Sequence, residues 1–419
     1  MTPRALRLSL LVFGLAFVTP ACGGDKDAGK KDAGKKADAG KKGDAGKKAD
    51  AGKQADAGDK TDPGKPGEPA VAGAWAWNLP AGITPPVVPE DNPMSAEKVA
   101  LGHQLFMDKR LSVDGTRSCY SCHQNELGNA DGRKLALGPG DKLLTRNSPT
   151  IWNVGLHTTG LYWDGRSATL EKQAIGAWKG GNMAVPEDQL AGKATEIAAL
   201  PEYKDQFAKV FALKEGDAVT PDHVAKALSA YERTLLCFDT AYDTNTMSEA
   251  AQRGWDLFRG KASCTTCHAA GNFVDGLFHD VGLAHDAEGK PIPDADRGRG
   301  KISEQAADDF KFRTPTLRNV AKTAPYFHDG RVATLEEAVR YMAGGGNAKA
   351  PTLDQNLRNT ALSDDEIKDV VAFLEALTCG GTLEVIGDQS VAGIPETAAA
   401  PAEPAAPTEP AAPTEPKPG

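Results

Sequence analysis

Apolar residues recur every three to four positions in five stretches of the chain, which is the spacing of one face of an α-helix. In the clearest stretch, Val224, Leu228 and Tyr231 share one face of a segment that we expect to be helical over residues 220–238. The period-two alternation that would predict strands is scarce. The predicted helices cover residues 95–106, 220–238, 250–259, 334–342 and 363–374. The pattern therefore predicts a mostly α-helical protein.

The two ends of the chain lack this pattern. Residues 1–22 combine a basic start with a short apolar run, which is typical of an export signal and too short for a membrane span. Cys22 resembles the acylated cysteine of bacterial lipoproteins, so we expect a lipid anchor there; a soluble periplasmic protein is the alternative. Residues 23–70 repeat Asp-Ala-Gly-Lys-Lys and residues 386–419 are rich in Pro and Ala, so we expect a disordered tether and a disordered tail.

A Cys-x-x-Cys-His pattern occurs twice in the chain. In an exported protein it predicts covalent c-type haem, because the two thiols bond to the haem vinyl groups and the histidine ligates the iron. A zinc site built from two Cys-x-x-Cys pairs would leave the histidine after each pair unexplained. The predicted haem-binding residues are Cys119, Cys122 and His123 in the first copy, and Cys264, Cys267 and His268 in the second.

Two further phrases follow each copy of the pattern. The first is Arg-x-x-Pro-Thr at Arg146 and Arg-x-Pro-Thr at Arg313. The second is Asp-Gly-Arg followed by x-Ala-Thr-Leu-Glu, and it begins at Asp164 and again at Asp329. Such an internal repeat predicts two homologous haem domains, each mostly helical like a class I cytochrome c. The predicted domains cover residues 71–245 and residues 246–385.

The two repeats differ at one position that matters for haem chemistry. Met342 lies 13 residues after Asp329, on the apolar face of its predicted helix, whereas the equivalent position after Asp164 is Ala177. If the repeats superpose, the second haem has a thioether available as its sixth ligand and the first haem has only a methyl group. A His/Met haem is six-coordinate and transfers electrons, whereas a haem with one histidine ligand keeps an iron position open for a small molecule.

These motifs together resemble those of the bacterial di-haem cytochrome c peroxidases and their MauG-type relatives. The resemblance covers roughly residues 90–380 and rests on several specific phrases besides the haem motifs. Those phrases lie at Arg146–Thr150, Trp163–Gln173, Pro315–Val320, Thr323–Gly330 and Thr334–Met342.

The resemblance implies a division of labour between the haems. The N-terminal haem would be peroxidatic, and the C-terminal haem, with His268 and Met342 as ligands, would transfer electrons. The family also implies that Trp163 lies between the haems and relays electrons, and Gln173 is retained where it could hydrogen-bond a bound peroxide.

The family further implies a calcium ion where the two domains meet. Its protein ligands would be the side chain of Asn147 and the main-chain carbonyl oxygens of Thr323 and Pro325. Calcium is a hard cation, and neutral oxygen ligands with waters suit it.

The chain departs from the family pattern in two places. No histidine occurs between His123 and His157, so the histidine that blocks the peroxidatic iron in many relatives has no counterpart in that loop. The distal glutamate of the family is also missing, because residues 180–183 read Gly-Gly-Asn-Met and the nearest carboxylates are Glu187 and Asp188. Because the blocking histidine is missing, we expect activity without reductive activation. Because the distal glutamate is missing, we expect proton transfer to the peroxide to proceed without the acid that the family usually supplies.

We accordingly predict a peroxidase that reduces hydrogen peroxide with electrons from a small donor protein, either a cytochrome c or a cupredoxin. A MauG- or MbnH-like enzyme that oxidises tryptophan in a partner protein is the first alternative, because residues 79–99 resemble the MbnH-like relatives. A plain di-haem electron carrier is the second. The expected location is the periplasm or outer membrane of a Gram-negative bacterium. Homodimerisation occurs among relatives, and the formal net charge of −9 does not single out a partner.

Two cysteines remain outside the haem motifs and the export signal. Cys237 and Cys379 each lie late in an apolar helical pattern, and an oxidising compartment allows a disulfide between them. Two buried thiols are the alternative. His103 lies within the first predicted helix, where we expect it to pack against neighbours and not to ligate iron.

Overall fold

The structure is a computed structural model that describes residues 75–77, 79–80 and 82–380. These described residues belong to one compact unit and are mostly helical, which confirms the predicted class. The export signal with Cys22, the tether over residues 23–70 and the tail over residues 386–419 lie outside the described residues. None of the described helices is long and apolar enough to cross a bilayer.

The helices follow the duplicated pattern of the sequence. Short 3₁₀ turns connect many of them, and one small antiparallel sheet joins β1 (Phe278–His279) to β2 (Phe312–Arg313). The helices are α1 (Ala96–Met107), α2 (Leu170–Lys179), α3 (Leu190–Ala198), α4 (Lys204–Phe211), α5 (Pro221–Arg233), α6 (Glu249–Arg259), α7 (Gly300–Ser303), α8 (Leu335–Ala343) and α9 (Asp364–Glu375).

Each repeat is built on one close crossing of two helices. In the first repeat α1 crosses α5 at Gly102, where an added Cβ would overlap the carbonyl oxygen of Ala227. In the second repeat α6 crosses α9 at Gly254, where a Cβ would overlap the carbonyl oxygen of Asp369. Only glycine lets the backbones approach so closely. Because the two contacts join equivalent positions, the fold carries the duplication that the sequence predicted.

Side-chain caps explain where the helices of both repeats begin. Thr169 caps α2 and Thr334 caps α8, each by accepting a hydrogen bond from the third backbone N–H of its helix. The sequence pattern of a capping box occurs at Thr334–Glu337 and Ser363–Glu366, and both boxes are present in the structure. These caps set α2 and α8 in the same register after their Asp-Gly-Arg phrases.

Two sequence-based expectations about element boundaries were wrong. The helix expected over residues 220–238 ends at Arg233, because the following backbone turns away and the Cys237 N–H donates to the side chain of Asn153. The stretch 282–311 is polar and Gly-rich, which is typical of a surface loop, but it contains α7 and the buried His285. In both cases long-range contacts replaced the local pattern.

Cys237 and Cys379 form a disulfide that links equivalent positions of the two repeats. The Asn153 side chain accepts a hydrogen bond from the Cys237 N–H at 2.7 Å, and the Asn319 side chain accepts one from the Cys379 N–H at 3.0 Å. All four side chains are buried. The disulfide therefore lies inside a pair of matching turns that hold the repeats together.

We expect the disulfide to contribute substantially to stability, because it closes a separation of 142 residues and so restricts the unfolded chain. Replacing Cys237 and Cys379 together by alanine should lower the free energy of unfolding by about 2–5 kcal/mol, measured from urea midpoints at constant haem content. A reductant should shift the parent protein in the same direction and leave the double variant unchanged. Identical midpoints for the two proteins would contradict this assignment.

Candidate functional site

The first haem motif forms a tight turn at the end of the segment that follows α1. His123 is held by one hydrogen bond between its Nδ1 and the carbonyl oxygen of Asn129, at 3.0 Å. Nδ1 is thereby used as the donor and Nε2 remains available as a ligand. Burial lowers the pKa of His123, which keeps the imidazole in its neutral, ligand-competent form.

The second haem motif repeats this arrangement. The Nδ1 of His268 lies 2.9 Å from the carbonyl oxygen of Phe273, and burial again lowers the histidine pKa. Phe106 approaches the His123 ring and Phe258 approaches the His268 ring, with centroids 6.5 Å apart in both pairs. Sequence spacing alone had identified both histidines, and the structure places them in matching surroundings.

None of the four cysteines of the two motifs forms a disulfide, so all four are available for thioether bonds to haem. Burial raises the pKa of Cys122 to about 11 and that of Cys264 to about 12. A neutral thiol beside a histidine with an open Nε2 fits the residues that c-type haem needs. In each repeat, Cys-x-x-Cys-His would hold the haem by two thioether bonds and one iron ligand.

Trp163 contacts both repeats. Its Nε1 donates to the carbonyl oxygen of Asn147 at 2.9 Å, and its own carbonyl oxygen accepts from the Arg313 N–H at 2.8 Å. The first bond stays within the N-terminal repeat and the second crosses to β2 of the C-terminal repeat. The ring is therefore held where the two repeats meet.

An ion-pair network ties the repeats together beside this tryptophan. Arg146 lies 2.6 Å from a carboxylate oxygen of Asp164 and 2.6 Å from one of Asp296, which belongs to the other repeat. Its guanidinium also lies over the Phe312 ring, 5.5 Å from the centroid. Because Asp164 is almost fully buried, this network is screened less than a surface pair.

Arg313 begins the corresponding motif of the second repeat, as Arg146 begins that of the first, but it has different partners. Its Nη1 lies 3.1 and 3.0 Å from the two ring nitrogens of His157, and none of the carboxylates in the described chain forms an ion pair with it. Burial lowers the pKa of Arg313 to about 10, and burial with the neighbouring guanidinium holds the pKa of His157 well below its ordinary value. A buried guanidinium without a carboxylate fits an anionic group such as a haem propionate.

The two predicted axial positions fall at the same place in equivalent helices. Ala177 is the eighth residue of α2 and Met342 is the eighth residue of α8. Both side chains are half-buried, whereas Glu336 and Arg340 of α8 are exposed. The structure therefore supports the superposition of the two positions on which the sequence argument depended.

Gln173 lies on the half-buried face of α2, beside Tyr162. The Tyr162 hydroxyl donates to the Gln173 main-chain carbonyl at 3.1 Å. The two carboxylates nearest to the missing distal glutamate do not replace it: Glu187 and Asp188 are exposed, and Glu187 pairs with Lys179 at 2.7 Å. Neither Glu187 nor Asp188 therefore takes the place of the distal glutamate as the proton donor near Gln173.

The residues of the predicted calcium site converge only in part. The Asn147 amide nitrogen lies 3.4 Å from the Pro325 carbonyl oxygen and 2.7 Å from that of Arg133, and the Asn147 N–H donates to His328 at 2.8 Å. Asn147 and Pro325 thus face each other across the repeats. Rotating the amide by half a turn would present its oxygen, so this pair fits a hard cation.

Glu232 is a carboxylate that the sequence analysis missed. It lies on α5, 8% exposed, and its Oε2 has no hydrogen-bond partner. A comparison of the two repeats could have identified Glu232, because Leu374 of α9 occupies the equivalent position before Cys379. Burial raises the pKa of Glu232 to about 8, although Arg233 lowers it.

Two haem-attachment domains joined around Trp163 define a c-type di-haem protein. The family model described as di-haem cytochrome c peroxidase matches residues 96–251, and the model described as cytochrome c matches residues 251–378. The chain is 40% identical over 333 residues to a cytochrome-c peroxidase IdrP1 of Denitromonas iodatirespirans, covering 71% of this chain and 86% of that protein. The chain belongs to the di-haem cytochrome c peroxidase family.

MauG-type relatives match as well. The methylamine utilization protein MauG of Methylorubrum extorquens is 36% identical over 300 residues, which is 69% of this chain and 80% of that protein. The crystal structure of a MauG-like protein associated with microbial copper homeostasis superposes with a TM-score of 0.69 at 35% identity, covering 74% of this chain and 97% of that chain. Family membership therefore includes both peroxidases and MauG-like proteins.

Proposed function

We propose that the protein reduces hydrogen peroxide to water with electrons from an external redox protein. The observation that carries this proposal is the contrast between Ala177 and Met342 at the same position of equivalent helices. It supports an open iron position in the first repeat and a closed, electron-accepting one in the second. The relatives named cytochrome c peroxidase support the same reaction.

The residues around the first haem site would bind and orient the peroxide. Bound haem c supplies the iron and the redox chemistry. Gln173 lies on the helix that carries Ala177, and its side-chain amide can donate to or accept from a peroxide oxygen. His123 remains neutral and oriented by Asn129, so its Nε2 is directed at one face only.

Trp163 would connect the two sites. The indole Nε1 donates to the N-terminal repeat and the main-chain carbonyl accepts from the C-terminal repeat. A large aromatic ring between two macrocycles shortens the gap that electrons must cross. In this arrangement Met342 would complete the coordination of the second iron, together with His268.

Calcium would stabilise the same junction. We assign its ligands to the Asn147 side-chain oxygen and the carbonyl oxygens of Thr323 and Pro325, with waters completing the shell. The Asn147 to Pro325 contact supports this assignment.

The proposed location and partners rest on the N-terminal sequence, the haem motifs and the family resemblance. The apolar start and Cys22 support export and a lipid anchor, which would place the enzyme in the periplasm or on the outer membrane of a Gram-negative bacterium. The two C-x-x-C-H domains support a small cytochrome c or cupredoxin as electron donor. A homodimer would agree with the behaviour of relatives.

Tryptophan oxidation in a partner protein is the second candidate. The MauG-like solved structure and the MauG of Methylorubrum extorquens favour it. Met342 favours the peroxidase, because the family resemblance implies a tyrosine in place of this methionine at the second haem of MauG-type proteins.

Steady-state turnover separates the two candidates. A reduced small cytochrome c mixed with the holoenzyme and peroxide should be oxidised at two equivalents per peroxide. Free haem at equal iron concentration is the control. A turnover no faster than free haem, together with a mass change at a tryptophan in a co-purified partner, would favour the second candidate.

The axial assignment predicts opposite results for two substitutions. Met342→Ala should remove the thioether charge-transfer band of the ferric protein and lower the potential of the second haem, because the soft ligand favours the ferrous iron. Ala177→Met should convert the high-spin signal of the first haem to low-spin, since a longer thioether can reach the iron. The first-haem signal should be high-spin in the parent protein and should respond to cyanide without prior reduction. A fully low-spin ferric parent protein would refute the open site.

Trp163 is expected to control electron transfer between the haems and not their ligation. Trp163→Ala should leave both haem spectra nearly unchanged and slow intramolecular electron transfer, measured by stopped-flow reoxidation of the reduced enzyme. Trp163→Phe, which keeps an aromatic ring, is the matched control and should be impaired less. Equal rates for all three proteins under conditions that limit this step would exclude the relay.

A further inference from the structure

Glu232 is an acidic residue for which the described structure provides no counter-ion of its own. The neighbouring guanidinium of Arg233 is already paired with Glu171, at 2.8 Å from Nη1 to Oε1. Glu171 also accepts a hydrogen bond from the Asn92 amide at 2.8 Å. Glu232 takes no part in this ion pair, and its Oε2 is buried and has no hydrogen bond.

The electrostatic neighbours of Glu232 belong to the first haem pocket. Burial and the charge of Glu232 both raise the pKa of the Cys119 thiol. The same charge contributes to the raised pKa of Tyr162, which burial dominates. Tyr162 in turn donates to the Gln173 carbonyl of α2. Glu232 is therefore close to a haem-attachment cysteine and to Tyr162, which contacts the helix that carries Gln173.

The second repeat has no such group. Counting from the cysteines of the disulfide, Glu232 stands five residues before Cys237, and the residue in that place before Cys379 is the buried Leu374. A leucine satisfies the packing of this position, so packing alone does not require a carboxylate. The acid occurs only in the repeat whose haem has an open iron position.

Burial decides the protonation state of this side chain. An ionised carboxylate without a hydrogen bond or a free counter-ion is strongly disfavoured in a buried position. Burial raises the pKa of Glu232 to about 8, with Glu171 raising it further and Arg233 lowering it. The side chain is therefore mostly protonated at neutral pH. The titratable or charged groups around it are Cys119, Tyr162, Glu171, Tyr231 and Arg233.

We propose that Glu232 is the proton store of the first haem site and takes over the role of the missing distal glutamate. This proposal rests on the proposed peroxidase function. The overall reaction consumes one hydrogen peroxide, two electrons from the donor protein and two protons, breaks the O–O bond and releases two waters. Glu232 releases one proton toward the leaving oxygen, directly or through a water, and solvent supplies the other. A proton from solvent then restores the acid.

A redox titration tests the proposal without using turnover. Adding an electron to a haem makes a nearby acid harder to ionise, so the potential of the first haem should fall with rising pH across the range in which Glu232 titrates. In Glu232→Gln and Glu232→Leu this pH dependence should be lost, while the potential of the second haem keeps the profile of the parent protein. The leucine variant copies the residue of the second repeat, which favours correct folding.

Two controls separate a proton store from a structural role. Glu375→Gln removes an exposed carboxylate from α9 and should leave both profiles unchanged. Leu374→Glu transfers the acid to the second repeat and should give the second haem a new pH dependence. If Leu374→Glu does not fold, the two Glu232 variants still decide the question. A first-haem profile that is unchanged in both variants would overturn the proposal.

Turnover then connects the acid to the chemistry. Peroxide reduction by Glu232→Gln should fall by roughly 10²–10⁴-fold at saturating donor, with unchanged haem content, because a positioned acid contributes about this much. A parent protein with the predicted redox profile but no turnover would reject the peroxidase and retain the proton-coupled acid. A variant with full turnover would reject the proton store and retain the peroxidase.

Discussion

One hydrogen bond in each repeat determines the geometry on which the rest of the structure depends. It joins the Nδ1 of the haem-motif histidine to a backbone carbonyl a few residues later, at Asn129 in the first repeat and at Phe273 in the second. The bond leaves Nε2 as the only ring nitrogen that can ligate iron and fixes the direction in which it points. That direction would set the position of a bound haem in each repeat, and with it the residues of α2 and α8 that would face the haem.

The duplication makes the functional differences easy to locate. Both repeats share the helix crossing at a glycine, the turn in which an asparagine side chain binds the backbone of a cysteine, and the threonine-capped helix. A residue that differs between equivalent positions is therefore not required by the fold that the repeats share. Ala177 differs from Met342 and Glu232 differs from Leu374, and both differences lie around the haem sites. We propose that the first difference changes the ligand that iron can have and that the second changes the supply of protons.

The junction between the repeats combines rigid connections with the tryptophan that we propose as the electron relay. The disulfide and its two asparagine caps fix one part of it, and Arg146 with its two aspartates fixes another. Trp163 is bonded to both repeats within this junction. A rigid junction suits electron transfer, because the rate depends steeply on the distance between the donor and acceptor groups.

The sequence by itself determined the features that depend on short segments. Thiol spacing identified both haem motifs, capping residues located α8 and α9, and helical period placed Met342 on an inward face. Only the tertiary structure decided which distant groups meet. It paired Cys237 with Cys379, placed Arg313 against His157 and ended α5 early. It also buried the Oε2 of Glu232 without a hydrogen bond, because burial and electrostatic surroundings are set by elements far apart in the chain, and no local pattern records them.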